Sequence, residues 1–327
     1  MMRWLWLALG AVALLYPWLV AGTGSAAFLQ DMGALVLLAA IGASAWNIVG
    51  GYAGQISVGH AMFFGAGAYL PLLVFQQWQL PPLVGVPLGI AVSLVLALVV
   101  GAPTFRLQGH YFSMATIAVA ELIRIVVSYS DLLGAAIGLQ GPAMSVHWWD
   151  LTFRSAVPYY YIFLGVLVLL LLVTWHMQVS RLGYYLRAIR AGERAARSLG
   201  VPVRRYKLYA LMLSATFTSL AGSLYALKTG FIDPDSGLGI LVSVQLIITA
   251  ALGGAGTLLG PLLGAVILVP LQTATNTWFG GSGSGLTYII YGAIIVLIAR
   301  FEPGGLLELW HRLAPRFNRR PEDSRAA

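Results

Sequence analysis

The 327-residue chain contains no cysteine. Disulfides, thiolate nucleophiles and Cys-ligated zinc or iron–sulfur centres are therefore excluded. Charge is scarce as well: Asp, Glu, Lys and Arg together make up 9% of the residues, against about 25% in an ordinary soluble domain. A soluble globule so poor in charge could not cover its surface. Lysine is nearly absent, with only Lys207 and Lys228. Neither ends a G-x-x-x-x-G-K-[ST] loop, so the chain has no Walker loop with which to bind ATP. The five histidines (His60, His110, His147, His176 and His311) form no H-E-x-x-H, and G-x-S-x-G does not occur. Zincin and nucleophile-elbow chemistry are absent, and no metal or organic cofactor is indicated.

What the chain has instead is apolar length. Hydrophobic residues account for 59% of it. Runs of about 18 apolar residues, each long enough to cross a hydrocarbon core about 30 Å thick, recur from end to end. The runs are continuous and do not alternate, which excludes a β-barrel. The expected fold is an all-α, polytopic transmembrane bundle of about ten spans. These run over Trp4–Val20, Met32–Val49, Val58–Phe75, Leu83–Gly101, Tyr111–Tyr129, Tyr159–Trp175, Leu208–Leu227, Gly239–Gly253, Leu258–Thr275 and Leu286–Ile298. The first has a charged start like a signal peptide, but its length and the span that follows read as an uncleaved helix. Residues 1–299 form one membrane domain, with an internal loop at about 176–207 and a polar, disordered tail at 300–327.

The net charge of +8 would suit nucleic acid. In a membrane chain it reads as basic loops retained on the cytoplasmic side, and no nucleic acid is expected. With Arg3 inside, the ten-span order puts 16 of the 19 basic residues on that side: Arg3, Arg106, eight from Arg181 to Lys207 and six from Arg300 to Arg325. Asp31, Asp131, Asp150, Asp233 and Asp235 fall outside. Both termini are then cytoplasmic.

The richest basic segment is "RAIRAGERAARSLG", Arg187–Gly200. A helix of about four turns would set Arg187, Arg190, Arg194 and Arg197 on one face, with Leu186, Ile189, Ala196 and Leu199 beside them. Gly200 and Pro202 stop it. Two readings are open: an amphipathic helix lying on anionic lipid, or a docking helix for a cytoplasmic protein. The small residues Ala195, Ala196 and Gly200 favour the second, because they admit another backbone at close range.

Here the chain resembles the branched-chain amino acid ABC transporter permeases. "RAIRAGERAARSLGVPVRRYKLYALMLSATFTSLAGSLYA" is similar to that family's cytoplasmic loop and following span. "NIVGGYAGQISVGHAMFFGAGAY", "FRLQGHYFSMATIAVAE", "LGGAGTLLGPLLGA" and "FEPGGLL" resemble further signatures in the same order. The resemblance implies the membrane subunit of an ATP-driven importer in a bacterial inner membrane, carrying branched-chain amino acids or related amides and urea. It implies two ATPase subunits inside, an extracytoplasmic solute-binding protein and a second, related permease. By the same resemblance Arg187, Arg190, Glu193, Ala195, Ala196 and Gly200 belong to a coupling helix seated in the ATPase. The importer pattern Glu-Ala-Ala, three residues, Gly departs here, because Arg194 holds the acid's place and Glu193 precedes it. Glu302 stands where the family often has Arg before the proline of the last signature.

Inside the spans, Gly256, Gly260 and Gly264 make two overlapping G-x-x-x-G steps, and Ser214, Thr218, Gly222 and Ala226 a small-residue face. Both read as helix packing. Glu121 and Arg124 are spaced to pair on one helix face, either as an internal lock or as part of the solute route. Asn47, Gln55, Ser57 and His60 surround a glycine-rich turn and are either satisfied turn groups or pathway groups. The rival function is an ion-coupled secondary transporter with Glu121 as proton carrier; a scaffold that moves no solute is the other.

Overall fold

The computed structural model describes residues 2–107, 109–142, 148–278, 292–293 and 305–306. The expected last span and the polar tail fall outside the described residues, apart from those two short pieces. The described helices are α1 (Met2–Val20), α2 (Ala26–Asn47), α3 (Ala61–Trp78), α4 (Pro82–Thr104), α5 (His110–Ser128) and α6 (Ala156–Val179). They continue as α7 (Arg181–Ala191), α8 (Glu193–Ser198), α9 (Val203–Thr229), α10 (Pro234–Leu238), α11 (Ile240–Gly253) and α12 (Gly260–Trp278). Two-residue strands β1 (Leu139–Gln140) and β2 (Phe231–Ile232) pair antiparallel. Among the described residues, six segments are long and apolar enough to cross a membrane: Ala26–Tyr52, Pro82–Thr104, His110–Ser128, Ala156–Val179, Val203–Thr229 and Pro234–Gly253. The chain is a multi-pass helical membrane protein.

The bundle has two chemically distinct ends. At one end the turns after α2, α4, α6 and α11 meet: Ser113 bonds Ile56 O at 2.5 Å, Arg190 bonds Gly51 O and Asn47 bonds Thr257 O. Arg106 and the cluster from Arg181 to Lys207 belong to this basic end. At the other, Lys228 pairs with Asp31 at 2.7 Å, Gln76 reaches Gln140 O, and β1 meets β2.

Small residues set the packing. A Cβ at Gly222 of α9 would run into the Phe64 carbonyl of α3, and one at Gly67 of α3 into the Ser219 carbonyl of α9. The Ser223 hydroxyl donates to Gly67 O at 2.8 Å, so the two backbones touch. Ser214 and Thr218 lie fully buried on the same face. Of the three spaced glycines, Gly264 packs on the Thr249 carbonyl and Gly260 opens α12. Gly256 is not helical: at φ +89° it belongs to the turn between α11 and α12, so only one of the two expected G-x-x-x-G steps lies on a helix. The left-handed backbone, open to glycine, is what ends the pattern there.

α3 does not start where its neighbours do. Ser93 of α4 bonds Phe63 O at 3.3 Å, and α4 runs eleven residues further, to Thr104. At 1.5 Å per residue that is roughly 16 Å. The gap is filled by a π-helical turn at Ile48–Tyr52 followed by a non-helical strap over residues 53–60.

Candidate functional site

The basic loop is two helices rather than one. Extended backbone at Gly192 (φ 178°, ψ 106°) separates α7 from α8, so the four arginines do not share a continuous face. Glycine's low helix propensity placed mid-pattern accounts for the break. Leu186, Ile189 and Ala196 face inward and are buried. Arg187 lies over the Tyr184 ring at 4.7 Å and donates to Gln178 O. Arg190 Nη1 donates to Gly51 O at 2.6 Å.

Glu193 turns inward. One carboxylate oxygen meets Arg197 at 2.9 Å, and the other meets Lys207 at 2.5 Å. The Lys207 side chain has no exposed surface. The pair bolts the first turn of α8 to the foot of α9. What α8 shows outward is Arg194, Ala195, Ser198 and Leu199. Leu199 is 83% exposed. Gly200, at φ +81° with open space around it, ends the helix.

The strap is held from three helices. Trp46 Nε1 donates to Ser57 O at 2.8 Å, Val58 N–H donates to Thr116 Oγ1, and Ala61 N–H donates to Ser243 Oγ at 2.7 Å. These bonds satisfy backbone that no helix serves and that would be costly in hydrocarbon. Asn47 bridges to the α11–α12 turn, accepting from Gly256 N–H at 2.7 Å and donating to Thr257 O at 2.8 Å. Gln55, half-buried, lines a small cleft with Gly109, His110 and Ser113.

His60 is fully buried between two hydroxyls, Ser57 Oγ at 3.0 Å from Nδ1 and Ser214 Oγ at 2.9 Å from Nε2. Ser214 spends its single hydrogen on Ala45 O at 2.6 Å. It must therefore accept from His60, which fixes the Nε2–H tautomer and leaves Nδ1 to accept from Ser57. The imidazole is neutral and fully engaged.

Glu121 and Arg124 do pair, with Arg124 Nε 2.9 Å from one carboxylate oxygen and 3.0 Å from the other. A third member was missed in the sequence: Arg124 Nη1 meets Asp235 of α10 at 2.7 Å. Only the i, i+3 spacing is local; Asp235 lies 111 residues away, and no pattern announces it. The trio sits on the outside of the chain, with Asp235 86% exposed. A separate cavity of about 330 Å³ is lined by neutral groups including Gln245, Thr249, Gln272 and Thr273, with Gln245 bonded to Gln272. Among the described residues no group of His, Asp and Glu could hold a metal ion.

Comparison with known proteins agrees with this architecture. The family model described as the permease component of branched-chain amino acid transport systems matches residues 29–299. The high-affinity branched-chain amino acid transport system permease protein LivM of Salmonella typhimurium is 28% identical, over 93% of this chain and 74% of its own. LivM of Escherichia coli is likewise 28% identical, over 92% and 74%. The ribose import permease protein RbsC of Escherichia coli is 26% identical over 66% of this chain and 70% of its own. These relatives are transport subunits and not enzymes. With a family model spanning most of its length, the chain belongs to the branched-chain amino acid transport permease family, the membrane components of ABC-type transporters.

Proposed function

We propose that the chain is the permease subunit of an ATP-driven importer for branched-chain amino acids in a bacterial inner membrane. It crosses about ten times with both termini cytoplasmic, so that the basic end faces the cytoplasm. Two ATPases dock inside, a solute-binding protein delivers outside, and a second related permease completes the pore. The observation that carries this reading is α8. It is a short helix braced from behind by the Glu193–Lys207 pair, and its outward face leaves Ala195, Leu199 and Arg194 exposed among the described residues. A lipid-lying helix would turn its apolar side chains to one surface, whereas here Leu186, Ile189 and Ala196 are used up within the protein.

The pore face is α5. It is the least buried of the long apolar helices, yet it carries Glu121 and Arg124, beside Asp235. Charged groups facing lipid would be expensive. A second permease across a wet seam removes that cost. The solute moves by alternating access, which requires that ATP stabilise the two access states unequally. The neutral, fully bonded His60 and the ion-paired Glu121 speak against a proton-coupled carrier.

The test is uptake in proteoliposomes. Leucine, isoleucine or valine should accumulate only with the ATPases, the binding protein and ATP present. Uptake by this chain alone on a proton gradient would contradict the proposal. The pore face is tested by labelling: in the assembled transporter Glu121→Cys should react with a membrane-impermeant maleimide, and Leu169→Cys, exposed on α6, should not. Equal reactivity would remove α5 from the route.

A further inference from the structure

Arg190 occupies a position that docking does not explain. Its guanidinium points back into the chain, where Nη1 donates to Gly51 O. Gly51 lies in the π-helical turn that ends α2. A carbonyl there has no partner further along its own helix, and a cation at a helix C-terminus is favoured by both hydrogen bonding and the dipole. The space that Arg190 uses exists because side chains are missing. A Cβ at Gly54 would stand 3.1 Å from Arg190 Cγ, and one at Gly256 would collide with the guanidinium itself. Both glycines have positive φ, +68° and +89°.

The same spot is tied twice more. Asn47, one turn before Gly51, holds Gly256 and Thr257 of the α11–α12 turn. Gln178, just before the loop, bonds the Tyr52 hydroxyl. The π-turn thus holds α7 at both its ends, through Gln178 and Arg190. That turn runs directly into the strap at 53–60, whose far end is the start of α3 in mid-bundle.

We propose that Arg190 is a positioning residue: a strut that ties the α7–α8 loop to the foot of α2 and the α11–α12 turn, so that displacement of the loop is delivered to the strap and α3. Contacts of this kind, packed and hydrogen-bonded end to end, are what carry energetic coupling between distant sites. The inference rests on the reading of the loop as the ATPase dock, and it assigns Arg190 to the membrane side of that joint.

Because the chain has no cysteine, spin labels can be placed without background. Ala188→Cys on α7 and Ile56→Cys on the strap, both exposed, should give one narrow distance distribution for the purified chain alone. Adding Arg190→Ala should broaden it, and adding Arg190→Lys, which keeps a charged donor, should broaden it less. In the assembled transporter Arg190→Ala should still retain the ATPase. Solute uptake should fall about tenfold or more, the scale of one lost charge-assisted hydrogen bond, with partial rescue by Arg190→Lys. An unchanged distance distribution overturns the strut. Loss of the ATPase in Arg190→Ala, with the distances intact, makes Arg190 a docking residue and overturns the inference too. Broadened distances with full uptake overturn the coupling role. If the unsubstituted chain recruits no ATPase, the importer reading fails, and the spin-label result still decides the strut.

Discussion

Lys207 carries a charge in a place with no exposed surface, and Glu193, 14 residues earlier in the chain, makes that tolerable. Breaking a buried pair from one side strands the other charge, at about 3–5 kcal/mol, whereas replacing both partners is often close to neutral. Glu193→Gln should therefore lower stability by about that amount, and Glu193→Gln combined with Lys207→Met should recover most of it. A fluorescence-detected melting curve of the solubilised chain measures both; additive losses would show that the two side chains do not depend on each other. His60 is subject to the same logic with neutral groups. His60→Ala leaves Ser57 and Ser214 without their partner and should cost about 1–3 kcal/mol. Uptake that tracks folded protein would show the histidine to be structural. At this scale the sequence was only partly legible. Glu193, Arg124 and His60 stood out as polar residues in unusual places, but Lys207, Asp235 and Ser214 did not announce themselves as their partners. Those contacts join residues 14, 111 and 154 positions apart, and spacing rules reach only one or two helical turns.

At the level of elements, helix contacts here are made by backbone meeting backbone. Gly222→Val would push a branched side chain into the Phe64 carbonyl and should cost about 1–3 kcal/mol or more. Gly165→Val in α6, with nothing within 4 Å, should leave stability unchanged in the same assay. If both variants melt alike, small-residue packing between α3 and α9 is not what holds them. Among the described residues, apolar length made six of the ten expected spans visible as helices long and apolar enough to cross a membrane, because a run of that length has few other folds in lipid; α1, α3 and α12 cover three more of the expected runs as helices. What length could not show was interruption. Gly192 splits the loop helix and the strap shortens α3; the first follows from one glycine's backbone, and the second depends on bonds supplied from elsewhere. The strap exists because Trp46, Thr116 and Ser243 happen to satisfy it.

Taken whole, the molecule is a basic end and an acidic end joined by packed helices, with one charged face left open on α5. The basic end is where separate pieces converge: loop, π-turn and the α11–α12 turn are linked through Arg190 and Asn47. The acidic end holds Arg124 and Lys228 in ion pairs with Asp235 and Asp31. Such a body is suited to pass a push at one end to a rearrangement in its middle, provided something grips α8. The most direct measurement is recovery of the ATPase with the purified chain in mild detergent. Leu199→Asp and Ala195→Trp alter only the outward face of α8 and leave the Glu193–Lys207 brace intact. The expected result is a near-complete loss of the co-purified ATPase in both, with an unchanged melting temperature. Full retention of the ATPase in both variants would contradict the account, for it would leave α8 with no partner to hold.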